Sequence, residues 1–157
     1  MRVTGYGAIE RRNGAIALLE AGVVAPNARA SLEERLRELH AGIAEVIAQI
    51  EPTSIVIEEL YTSYKNPRTA LLMCHARGVL CLAGAQAGVA VHTLAHSRVK
   101  RALVGSGSAR KEQVNAMVKH LLQLRRAPSP NDVSDALALA LAFLNVCESR
   151  VPERSVR

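Results

Sequence analysis

Small, aromatic and apolar groups alternate along Thr4–Glu10, which reads as a strand, and the almost wholly apolar run Ala15–Val24 reads as a second. Arg11-Arg12-Asn13-Gly14 lies between them and reads as a hairpin turn. The period changes at Ser31, where Ser31 and Glu34 have capping-box spacing. Leu32, Leu36, Leu39, Ile43, Val46 and Ile50 then recur every three or four residues until Pro52 stops the run. The β-branched run Ser54–Leu60 predicts a short, buried central strand, and it ends in acid at Glu58 and Glu59. Thr69–Ala87 predicts a long apolar helix whose small residues Ala83, Gly84 and Ala87 permit close backbone approach. That pattern fits a core helix or a dimer face, and periodicity does not separate the two. Val89–Leu94 predicts a further strand. After a basic segment at Ser97–Arg101, the turn Gly105–Lys111 leads into a helix with the apolar face Val114, Met117, Val118, Leu121 and Leu122. Prolines 128 and 130 exclude a helix through 124–130. The last helix, Asp132 to about Val146, is apolar nearly all round and must therefore be buried. Strands alternating with helices, with no repeat and no linker, predict one α/β domain.

Composition refines this picture. With one Phe, three Tyr and no Trp, the core has to be aliphatic. Three cysteines cannot close a disulfide framework, and no C-x-x-C spacing occurs. Cys74 and Cys81, seven apart on one apolar helical face, are expected in the core. The apolar run 70–91 is interrupted by His75, Arg77 and Gln86, and the N-terminus has no signal-peptide pattern, so a cytoplasmic protein is expected. The net charge of +6, carried by sixteen Arg and four Lys, points to a polyanionic partner.

The candidate chemistry begins at Asp132 and Asp135. Three residues apart on a helix, their Cβ atoms lie about 5–6 Å from each other on one face. Carboxylates so close repel unless a cation sits between them, which suggests a divalent-metal site. The alternative is that they complement the helix dipole, with Ser129 as cap and Pro130 at the first helical position. Glu58 stands where open α/β sheets gather ligands, beyond the carboxyl end of a strand; a solvated strand end is the other reading. Glu58, Asp132 and Asp135 supply three of the three or four oxygen donors that a two-metal phosphoryl-transfer site needs around Mg²⁺. The loop Tyr61–Arg68 carries two aromatics and two cations, Lys65 among them, a combination suited to stacking on bases and holding phosphate. The glycine turn before Lys111 offers backbone N–H groups to an anion but lacks the complete P-loop pattern. Lys100 and Lys111 flank it and suit contact with a nucleic-acid backbone.

Several of these segments together resemble the RuvC family of bacterial Holliday junction resolvases, which has the ribonuclease-H-like fold. They are Arg2–Ile9, Ile57–Tyr61, Lys65-Asn66, Ala76–Val79, Val99-Lys100, Gly105–Val114 and Asp132–Ala138, in order along nearly the whole chain. The resemblance implies an α/β fold with a mixed central sheet flanked by helices, a nuclease domain over 1–147 and a polar, basic tail over 148–157. It implies a homodimeric, Mg²⁺-dependent endonuclease, with two ions per subunit in the complete enzyme, that nicks two opposing strands of four-way junction DNA in recombination and repair. Glu58, Asp132 and Asp135 match the family's catalytic, metal-binding acids. Tyr61 matches an aromatic position proposed to stack at the junction centre, and Lys100 and Lys111 match basic positions near the scissile phosphates. Cooperation with RuvA and RuvB is implied by the family alone.

Two departures from the family pattern stand out. Cys74 occupies a position where many members carry Gly. The family's first strand also bears a G-I-D-P-G motif whose Asp is a fourth catalytic acid, and neither that motif nor a substitute acid precedes Arg2 here. A missing central strand leaves backbone groups unpaired and removes apolar side chains worth about 1.5–3 kcal/mol each. The 157 residues as written are thus expected to be poorly stable and weakly active or inactive. The alternative, of a different class, is a catalytically impaired pseudonuclease that dimerises and grips junctions without cutting them.

Overall fold

The structure, a computed structural model, describes residues 3–60 and 67–148. Strands β1 (Thr4–Arg12) and β2 (Ala15–Val24) form an antiparallel hairpin in which Arg12 faces Ala15. The turn is therefore the pair Asn13-Gly14 alone, with φ of 51° and 79°. Positive φ at both central residues matches the right-handed twist of the flanking strands, and Asn-Gly tolerates it well. A bulge at Ala8/Ile9 interrupts the register.

Helix α1 (Leu32–Ile50) begins at the capping box read from the sequence, with the Ser31 side chain accepting from the Glu34 N–H. Strand β3 (Ser54–Glu58), helix α2 (Pro67–Gln86) and strand β4 (Ala90–Leu94) form a parallel crossover unit. Three further helices follow: α3 (His96–Val104), α4 (Lys111–Leu121) and α5 (Asn131–Glu148). Val99 and Leu103 of α3, Val114 and Val118 of α4, and Leu137 and Leu141 of α5 are buried in one aliphatic cluster. The other face of α5 lies along β1 so closely that a Cβ on Gly7 would fall 2.5 Å from Leu137 Cδ2.

The architecture is α/β with sheet halves of opposite sense, as expected of a mixed sheet, but the halves are separate. Among the described residues β1 pairs only with β2, and β3 only with β4. Between the facing edges runs a cavity of about 860 Å³, lined by β1 on one side, β3 on the other and α5 along its length. This gap explains why Ser54–Glu58 is less buried than a central strand should be. Ile57 is buried, while both ends are exposed.

Two other readings of the sequence differ from the structure, and one segment left without an element gains one. Cys74 is exposed and Cys81 only partly covered, because among the described residues little packs on their face of α2. The basic segment after β4 is helical: Val99 and Leu103, one turn apart, anchor it on the core. Pro130 is not the first helical residue. It precedes the helix, and its carbonyl accepts from the Val133 N–H.

Candidate active site

Helix α5 is packed hard enough to fix what its first turn presents. Val133, Ser134, Leu137 and Ala138 are buried, so Asp132 and Asp135 must face outward on the opposite side. Ser134, fully buried between the two acids, donates through Oγ to Asn115 Oδ1 at 2.8 Å, tying this turn to α4. On the other side β1 touches the same turn. A Cβ built on Gly5 would lie 2.2 Å from the Asp132 carbonyl oxygen, so only glycine allows that approach.

Glu58 ends β3, and Glu58, Asp132 and Asp135 all border the cavity between the sheet halves. Two of the three acids have a nitrogen partner. Lys111, the first residue of α4, reaches Asp135 Oδ2 through Nζ at 2.9 Å, with both side chains about half exposed. His96 Nδ1 lies 2.7 Å from Glu58 Oε1. Arg77 holds the strand end behind Glu58, with Nη1 donating to the Glu58 carbonyl at 3.1 Å and Nη2 to Thr93 Oγ1 at 2.8 Å. Glu58 is thus fixed at its backbone by α2 and at its carboxylate by α3.

The structure brings together Glu58, Asp132, Asp135 and Lys111 of the residues singled out in the sequence. Lys100 lies half-buried on α3, one turn beyond His96. Tyr61 and Lys65 lie outside the described residues. His96 and Arg77 were not assigned roles from the sequence. Their partners are 38 and 19 positions away, and no local spacing announces contacts of that range.

The donor set suits a hard divalent cation, since three carboxylates on one cleft provide only oxygen ligands. Among the described residues, however, no three His, Cys, Asp or Glu side chains converge closely enough to hold an ion by themselves. The Lys111 ammonium sits against Asp135, and the His96 ring against Glu58. No helix among the described residues is long and apolar enough to cross a membrane.

Comparison with known proteins places this geometry in context. The family model described as crossover junction endodeoxyribonuclease RuvC matches residues 1–143. The chain is similar to the RuvC of Rhodopirellula baltica, 45% identical over 141 residues that cover 90% of this chain and 79% of the relative. It is 42% identical to the RuvC of Heliobacterium modesticaldum, over 88% of this chain and 85% of that protein. The solved structure of Thermus thermophilus RuvC superposes with a TM-score of 0.85 at 32% identity, covering 94% of this chain and 90% of that one. The same protein in complex with a Holliday junction substrate superposes with a TM-score of 0.86 at 29% identity, covering 95% and 90%.

Proposed function

Because the chain belongs to the RuvC family of crossover junction endodeoxyribonucleases, with its ribonuclease-H-like fold, we propose that it acts on four-way DNA junctions by paired, metal-dependent nicking. The observation that carries this reading is the arrangement of Glu58, Asp132 and Asp135 around one cleft, with Lys111 against Asp135. Those three carboxylates are the residues that would hold Mg²⁺, which when bound supplies Lewis-acid stabilisation of charge developing on the phosphate oxygens.

The chain's own groups do the rest. Gly5, Ser134 and the buried face of α5 orient the two aspartates toward the cleft. Lys111 and Lys100 supply positive charge for the phosphates beside the scissile bond. The Lys111 ammonium is free to exchange Asp135 for a phosphate oxygen, since the pair is half exposed and such pairs are weak. Tyr61 is assigned to the junction centre on family grounds, and Lys65 to the DNA backbone from the aromatic and cationic composition of its loop.

The second copy that paired nicks require docks, in this proposal, through α2. Leu71 and Leu82 are exposed on this helix at 61% and 50%, Cys74 is open, and a Cβ at Gly78 would meet nothing within 4 Å. Exposed aliphatic side chains around an open glycine suit helix-to-helix contact. RuvA and RuvB as further partners, and a cytoplasmic location, are proposed on family membership alone.

Competitive gel-shift binding tests the substrate assignment. A four-way junction should displace labelled junction at far lower concentration than linear duplex of the same sequence. Equal competition by both would overturn the junction reading and leave a general DNA-binding protein.

A further inference from the structure

We propose that His96 is a positioning residue for Glu58, fixing that carboxylate to the basic helix α3. The proposal rests on the reading of Glu58 as a metal ligand. The backbone of Glu58 is held twice over: its carbonyl accepts from Arg77, and the next residue's N–H donates to the Leu94 carbonyl at 3.0 Å. Its side chain depends on His96, with Nδ1 at 2.7 Å from Oε1. A carboxylate only accepts, so Nδ1 carries the proton and the imidazole acts as a donor.

The helix that carries His96 cannot turn to release it. Val99 and Leu103 are buried and fix the rotation of α3. His96 is the first residue of that helix, after Ala95, whose side chain caps nothing. Lys100 follows at the i+4 position and so shares its face with His96. One short, anchored helix therefore presents a donor to the metal-ligand carboxylate and, one turn on, an ammonium for the phosphate backbone. Glu58 Oε1 is engaged by His96, which leaves Oε2 for an ion. Hydrogen-bond partners of ligating carboxylates set their orientation, and losing one costs about 10–100-fold in metal affinity or activity. The contact is half exposed, so the lower end of that range applies.

The test uses Mn²⁺ binding to the DNA-free chain, followed by the electron paramagnetic resonance signal of free Mn²⁺, with thermal melts to verify folding. His96→Ala should weaken Mn²⁺ binding by about 10-fold with the melting temperature unchanged. His96→Asn, whose amide N–H takes the place of Nδ1–H, should restore most of the affinity. Glu58→Gln should weaken binding at least as much as His96→Ala. If Glu58→Gln weakens binding and His96→Ala does not, the positioning role is wrong while the metal reading stands. If Glu58→Gln has no effect, the metal reading itself fails, and the proposal with it. If Asn does not restore what Ala loses, the imidazole acts on the ion directly and positioning is overturned.

Discussion

Gly5→Ala is a small change with a calculable consequence. The added Cβ would sit 2.2 Å from the carbonyl oxygen and 2.3 Å from the carbonyl carbon of Asp132, both backbone atoms that cannot swing aside. Ordinary contact begins near 3.4 Å, so β1 and the first turn of α5 must separate by more than 1 Å. Overpacking of this kind costs about 1–3 kcal/mol. For a chain of this size each kcal/mol lowers the melting temperature by about 2–4 °C, which gives a loss of roughly 2–12 °C. The displaced turn also carries the two aspartates, and a shift of about 1 Å at a reacting centre can cost on the order of 10²-fold in rate. Differential scanning calorimetry on Gly5→Ala, beside Gly14→Ala at the exposed hairpin tip, measures the first effect. At Gly14 nothing lies within 4 Å and only the positive φ is disturbed. A Gly5→Ala chain that melts within a degree of the parent would show that β1 does not press on the start of α5, and the placement of the acids argued above would fall.

Other consequences can be checked separately. Lys100→Ala and Lys111→Ala should each reduce the slope of log K against log salt for junction binding by about 0.9; an unchanged slope would remove that lysine from the phosphate contacts. Gly78→Ala should stabilise the dilute monomer by about 0.8–1 kcal/mol through helix propensity yet weaken dimerisation measured by sedimentation, and an unaffected dimer would place the interface away from this face of α2. Tyr6 donates to Glu20 Oε1 at 2.7 Å, and that bond, with burial and the charges of Glu20 and Glu45, holds its pKa above the ordinary value of 10.0. The folded state thus keeps the phenol proton longer than the unfolded state, so this contribution is complete below about pH 10 and declines as pH rises through the folded pKa. Tyr6→Phe should show a shallower loss of stability above pH 10 than the parent; parallel curves would contradict the coupling.

Local signals in the chain proved readable where a local physical cause exists. The Ser31/Glu34 capping box, the hairpin turn (narrowed by the structure from Arg11–Gly14 to Asn13-Gly14) and the three-to-four-residue spacing of α1 depend on neighbours within a few positions, and each appears in the structure. The acid pair of α5 was readable for the same reason: helical spacing puts both residues on one face, and the apolar remainder of the helix forces that face outward. Features set by tertiary context were not readable. Helix α3 has only Val99 and Leu103 buried, too few to reveal a period. The exposure of Cys74 depends on what packs against α2, which an apolar helix does not specify. His96 and Arg77 meet Glu58 only because β3, α2, β4 and α3 converge at one end of the sheet, so no spacing along the chain encodes their roles.

The most direct test of the account is Mg²⁺-dependent nicking of a synthetic four-way junction at saturating protein. Two chains are compared, the parent and Asp135→Asn. The account predicts paired nicks in opposing strands by the parent, and none by the variant despite undiminished junction binding. No Mg²⁺-dependent nicking by the parent, or nicking that survives Asp135→Asn, would contradict it.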